Sequence, residues 1–339
     1  MKVVDLLNNT KQMDTHNCLL CNTNKADKIE SHMIPSFLVS KYYRYSEKSK
    51  RGSEIMFLLE PYKKKLYMGR DIPDTKLEEF GNYHELQNDI EHSDPFTASN
   101  TLCSNCEKDL SYYLETPYSQ KKSSPDVAYM FWASVVWRLS ASGMFGYKLP
   151  LTIENELRNA LCQYLNKKKK GEEISDLFSK IPFKYRLIMR DEPKMNNAGF
   201  YIEYFNNILT ITIGSILLCV TFHNDEIPLS YNYYGVEEAI RKAPVNSGEQ
   251  QEQKFELVSS MFDSHLLKIA SKIMFNKMLE EKEIADWCWC YAKGEKQMPT
   301  KVFYELQNRL RDKNSKIGDI LSSKRYVDIF NELLIKYKG

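Results

Sequence analysis

The chain has 339 residues, is 42% hydrophobic and 27% charged, and carries no low-complexity tract, which describes a globular protein with core enough for two or three subdomains. A net charge of +2 excludes a molecule that binds polyanions over its whole surface. The longest apolar run, residues 208–222, is broken by Thr, Gly and Ser and is too short to cross a bilayer, so it reads as strands and no membrane segment is expected.

Residues 1–17 are polar and read as a short helix or a loose lead-in, with no secretory signal in Met1-Lys2-Val3-Val4-Asp5. Cys18 and Cys21 then stand two residues apart, a spacing that lets both thiolates face one cation from a single bend. Lys28 to Ile34 alternates polar and apolar as a short strand does. Pro35 and the spacing of Phe37, Leu38, Lys41, Tyr42 and Tyr45 predict a helix after it. Residues 46–53 form a basic polar loop, and Glu54–Leu59 with Lys65–Met68 predict a hairpin. Residues 71–100 are polar and acidic, and the whole of about 46–100 reads as an insertion.

Cys103 and Cys106 repeat the Cys-x-x-Cys spacing, so the two pairs make a Cys₄ set suited to a structural Zn²⁺ with no open coordination position. Eight cysteines, half of them in such pairs, fit a reducing cytoplasm better than a disulfide framework. Beyond Cys106 the pattern is helical: Leu110, Tyr113 and Leu114 share one face, and Glu107, Ser111 and Glu115 another. A knuckle feeding a helix is a treble-clef layout.

Asp126 is the expected N-cap of a strongly apolar helix, Val127 to Leu139, and a second helix covers Thr152 to Leu165 before the lysine run 167–170. Phe183–Met189, Phe200–Phe205 and Leu209–Phe222 predict a small antiparallel sheet of three or four strands. Helices are expected again at 250–291, 300–312 and 316–337. The fold class is therefore α+β: a zinc module over 1–120 with its insertion, then a mainly helical domain over 121–339 with a sheet at about 183–222.

Cys18-Leu-Leu-Cys21, Ser31-His32-Met33-Ile34-Pro35 and Leu102-Cys103-Ser104-Asn105-Cys106-Glu107 together resemble the HNH (His-Me finger) nucleases of the four-cysteine type. The resemblance covers about residues 15–118. The whole chain is also similar to uncharacterised bacterial proteins with an HNH-like head and a Trp-Arg helix, here Trp137-Arg138. The family resemblance implies a ββα unit on a structural zinc, with His32 as general base, Asn100 orienting its imidazole, and Glu107 holding a catalytic Mg²⁺ or Mn²⁺. It also implies a nucleic-acid substrate, DNA ahead of RNA. Ser31 stands where the family has Asp or His, and Glu107 where it ends on His or Asn. A cation there would need a further carboxylate, such as Glu115 or one from 71–94.

Residues 1–120 hold 15 basic and 18 acidic side chains, which is unlike a surface built to neutralise phosphate. That keeps a second reading open, a non-catalytic zinc-stapled adaptor that binds a protein or nucleic-acid partner or forms a homo-oligomer. His84 and His92 with Glu85, Asp89, Glu91 and Asp94 have no fixed metal geometry and read as a solvated insertion. Trp287-Cys288-Trp289-Cys290 reads as packing, and the lysine run as a solvated helix end. No phosphate-binding or dinucleotide-binding glycine loop is present.

Overall fold

The computed structural model describes residues 17–43, 55–60, 63–68, 90–91, 94, 96–174, 177–178, 181, 183–191, 199–205, 207–223, 227–228, 233–312 and 323–337. The chain begins with β1 (Ser31–His32), α1 (Ser36–Tyr43), β2 (Ile55–Glu60), β3 (Lys63–Met68), β4 (Ile90–Glu91) and β5 (Thr97–Ala98). Then come α2 (Ser104–Leu110), a π-turn (Ser111–Glu115), α3 (Thr116–Ser119), α4 (Pro125–Ser142) and α5 (Leu151–Lys170). The sheet region holds β6 (Phe183–Arg190), β7 (Phe200–Phe205), β8 (Ile208–Ile213) and β9 (Ile216–Phe222). The remainder is α6 (Glu237–Lys242), β10 (Lys254–Leu257), α7 (Ser259–Lys293), α8 (Thr300–Leu310) and α9 (Ser323–Lys336). Among the described residues no helix is long and apolar enough to cross a membrane.

Packing gathers the chain into two units, 1–39 with 96–262 and 40–95 with 263–339. Residues 96–120 fall in the same unit as the sheet-bearing part. The inserted segment goes with the C-terminal helices.

The first unit is built around α4, which is buried from Val127 to Ser140. Its sequence is apolar nearly all round, so no face can be left in water, and fully burying a side chain such as Phe131 or Leu139 contributes about 1.5–3 kcal/mol. Pro125 stands in its first turn and Ser124, not Asp126, is its N-cap; Gly143 ends it in the left-handed region at φ 65°. Asp126 instead accepts a hydrogen bond from Tyr164 Oη at 2.8 Å and pairs with Lys168 Nζ at 2.8 Å, which docks α5 on α4. Tyr118 of α3 stacks on Phe131 with centroids 4.0 Å apart.

The sheet differs from the sequence expectation. It has five strands in the order β10-β6-β9-β8-β7, and β10 joins β6 in parallel while the other pairings are antiparallel. Every residue of β8 and β9 is buried, which a strand covered on both faces requires. β10 lies where helix was expected from residue 250. Its four residues are too short to show an alternation before the helical pattern of α7 begins. The loop before β10 is fixed by Glu252, whose carboxylate accepts bonds from Trp132 Nε1 (3.0 Å), Tyr185 Oη (2.9 Å) and Tyr118 Oη (3.2 Å). Burial and the neighbouring Glu252 charge push the hydroxyls of Tyr118 and Tyr185 well above the ordinary tyrosine value, so both remain donors.

In the second unit β2 and β3 form an antiparallel hairpin, in register from Ile55↔Met68 to Glu60↔Lys63, and β4 joins β3 in parallel. The helices share a core of Ala285, Trp289, Val302, Phe303, Leu306, Leu310, Phe330 and Leu333. The i, i+4 spacing of Val302, Leu306 and Leu310 lays one stripe along α8, and Phe330 and Leu333 answer it from α9. His84, His92, Glu85 and Asp89 lie outside the described residues, as do the lead-in before Asn17 and the 46–53 loop.

Candidate metal centre

The first cysteine pair sits on a tight bend. Cys18 N–H donates to Asn24 O (2.7 Å), Asn22 N–H to Cys18 O (2.8 Å), and Asn17 pairs with Lys25 across the base. Asn22 takes φ 57°, a conformation asparagine tolerates better than most side chains. Backbone bonds from Leu19 N–H to Thr101 O (2.9 Å) and Lys28 N–H to Leu102 O (3.0 Å) carry this bend to the second pair. There Cys103 is the N-cap of α2, its Sγ accepting from Cys106 N–H at 3.4 Å. Asp27 adds a cap from outside the helix, accepting from Ser104 N–H at 2.7 Å and Ser104 Oγ at 3.2 Å. That backbone bond holds the Asp27 carboxyl below its ordinary value.

The result is a cluster in which the Sγ atoms of Cys18, Cys21, Cys103 and Cys106 all lie within 4.8 Å of one another. Cys21 Sγ and Cys103 Sγ are 4.0 Å apart. A tetrahedron with Zn–S bonds of about 2.3 Å has edges of about 3.8 Å, so the four sulfurs fit a structural Zn²⁺ with small adjustment. The thiols are unevenly poised. A hydrogen bond from the Cys106 thiol draws Cys18 down to about 4, while that same bond, with burial, pushes Cys106 up. Burial opposes ionisation of Cys21, but bonds from Thr23 and Asn24 outweigh it and its value falls. Burial raises Cys103. One thiolate forms readily here, and holding four requires a dication among them. A fifth thiol, Cys162 of α5, donates to Leu20 O at 3.2 Å and fixes the first bend to that helix.

His32 ends β1 opposite Thr97 of β5, and Ser31 pairs with Ala98. Ser31 is fully buried and its Oγ has no hydrogen-bond partner; His32 is partly buried, with Nε2 shielded from solvent. The His32 carbonyl oxygen accepts from Arg138 Nη1 at 2.8 Å, and the same nitrogen pairs with Glu115 Oε1 at 2.7 Å. Arg138 is 1% exposed, so its charge rests on these partners and on Ser134, whose carbonyl and Oγ accept at 3.3 Å each. Glu115, which the sequence offered as a further cation ligand, is thus engaged by a guanidinium.

Glu107 lies in α2 directly after Cys106. It is partly buried, and its Oε2 has neither solvent contact nor a hydrogen-bond partner. A buried carboxylate oxygen left so is costly unless a cation or donor reaches it. Asn100 is exposed, takes φ 58° in the loop before Cys103, and its N–H donates to Lys28 O at 2.9 Å. The residues the sequence did not single out are Asp27, Cys162 and, as a partner of His32, Arg138. A lone arginine inside an apolar run was the one available signal for the last. Compared with known protein families, with curated proteins and with solved structures, the chain matches none of them.

Proposed function

We propose that the N-terminal module is a treble-clef, HNH-like unit that hydrolyses phosphodiester bonds of nucleic acid. The observation that carries this reading is the order of parts: a cysteine bend, a histidine ending the first of two paired strands, then a helix that completes the cysteine cluster and carries Glu107. In this reading Zn²⁺ on Cys18, Cys21, Cys103 and Cys106 is structural, and His32 takes a proton from the attacking water. Glu107 Oε2 and Ser31 Oγ, both buried without partners, are the donors suited to a hard divalent cation, Mg²⁺ or Mn²⁺. Such a cation, when bound, supplies neutralisation of charge on the leaving oxygen. Arg138 holds the backbone at His32, and Asn100 is the residue that would orient the imidazole. A cytoplasmic setting keeps the four thiols available.

A second reading is favoured by one feature. Ser31 is fully buried and His32 Nε2 is shielded, as in a module whose zinc serves only to display a binding surface to a protein or nucleic-acid partner or to a second copy. Incubation of the zinc-loaded chain with supercoiled plasmid, single-stranded DNA and RNA plus Mg²⁺ or Mn²⁺ separates the two. Cutting abolished by His32→Ala and by Glu107→Gln supports the nuclease. Cutting that survives both removes this site from the mechanism, and no cutting at all leaves the adaptor.

A further inference from the structure

Beside the cysteine cluster lies a cavity of about 380 Å³, bounded by the first cysteine bend, the start of α2 and the C-terminal half of α5. Its floor is apolar and soft: Leu20, Leu165, Cys106, Cys162 and, at one side, Cys21. Its rim is polar, with the carboxamides of Asn24, Asn105 and Asn166, the carboxylate of Asp109 and the ammonium groups of Lys108 and Lys169. An apolar floor with a few polar groups at the mouth is the anatomy of a small-molecule site, and the volume falls at the small end of that class.

We infer that this cavity takes the base of one nucleotide of a single-stranded nucleic acid, with the phosphate of that nucleotide reaching Lys108. Three observations select this ligand. The amides of Asn105 and Asn166 are exposed at the rim, and a carboxamide matches the paired donor and acceptor of a base edge. Lys169 is held by Asp109, whereas Lys108 enters no ion pair among the described residues and remains for a phosphate. Four thiolates around Zn²⁺ would carry a formal charge of about −2; Lys169 is neutralised by Asp109, which also lines the cavity, and Lys108 offsets part of the remainder. The balance is slightly negative, so the interior favours a neutral heterocycle over a free anion, with Lys108 at the rim as the one unpaired cation among the described lining residues.

The position fits a strand that passes the nuclease site. Asn105 and Asp109 are one turn apart on α2 and face the cavity, while Glu107, two residues from either, projects from the opposite side at about 100° per residue. The cavity and Glu107 are thus separated by the thickness of one helix, about 10 Å. The inference rests on the nuclease reading for the identity of the strand, yet binding is measured without cleavage, so the two fail separately.

The test uses the full zinc-loaded chain carrying His32→Ala, with no added Mg²⁺ or Mn²⁺. Fluorescence anisotropy follows a labelled ten-residue oligothymidylate, and calorimetry follows 5′-mononucleotides and inorganic phosphate. Lys108→Glu and Asn166→Leu are each expected to weaken oligonucleotide binding about fivefold or more, the worth of one lost hydrogen bond of about 1 kcal/mol. Lys122→Glu, an exposed change outside the cavity, is expected to leave binding within twofold, and zinc content by elemental analysis is expected to stay the same in all variants. Mononucleotides should compete and inorganic phosphate should not. Absence of oligonucleotide binding, an equal loss in Lys122→Glu, or competition by phosphate alone overturns the inference. Binding as expected in a chain that cuts no nucleic acid retains the cavity and removes the nuclease.

Discussion

Arg138 holds His32 by its backbone: Nη1 of the buried arginine donates to the His32 carbonyl oxygen at 2.8 Å and keeps Glu115 at 2.7 Å on the same nitrogen. The strand end and the π-turn are therefore tied to one point on α4. Removing one partner of a buried pair leaves the other uncompensated, at a cost of about 3–5 kcal/mol; Glu115 is 20% exposed, so the lower figure applies. Arg138→Met is expected to destabilise the chain by about 3 kcal/mol in denaturant unfolding, and Glu115→Gln by clearly less. A loss below about 1 kcal/mol for Arg138→Met would mean that water replaces the guanidinium.

The cysteine cluster predicts about one zinc per chain. Chelation is expected to lower the unfolding midpoint, with zinc at a thousandfold excess over its dissociation constant contributing about 4 kcal/mol. Cys18→Ser and Cys103→Ser should each abolish stoichiometric zinc in elemental analysis, whereas Cys162→Ser should retain it.

Asp126 gives a pH signature. Burial opposes its ionisation, but the bonds from Lys168, Ser124 and Tyr164 outweigh it and hold the carboxyl below its ordinary 3.8. A depressed folded value contributes stability that is fully present above pH 3.8 and is lost as pH falls through the folded value. The stability difference between the native chain and Asp126→Asn should be constant from pH 7 to about 5 and shrink toward pH 3, as measured by thermal unfolding at each pH.

Gly248 stands at φ +90°, and a Cβ there would meet Tyr129 Cγ at 2.9 Å and Phe178 Cδ1 at 3.0 Å. Both the backbone and the space forbid a side chain. Gly248→Ala is expected to cost about 2 kcal/mol or more by denaturant unfolding, and Gly294→Ala, with open space around it, less.

The four cysteines were legible because chelation by Cys-x-x-Cys is a local geometry, set within three residues. The hairpin at β2 and β3 and the buried α4 were legible for the same reason, through patterns that repeat inside one element. Arg138 was not, because its partners lie 106 and 23 residues away, and nothing in Trp137-Arg138 names them. β10 was hidden by its length and by a parallel partner, β6, some 67 residues earlier at Lys254↔Leu187. The π-turn after α2 adds one residue to a single turn, a change too small to disturb an apolar period read over so short a stretch.

Cys21 and Cys103 are 82 positions apart, and an entire segment of the second unit lies between them. During synthesis the ribosome releases the first cysteine bend long before α2 exists, at roughly 5–20 residues per second. A metal ion caught early would have only two of the four sulfurs, and a tetrahedron could close only when the second pair emerges. Chain growth thus sets the earliest moment at which His32 and Glu107 can be held in one body.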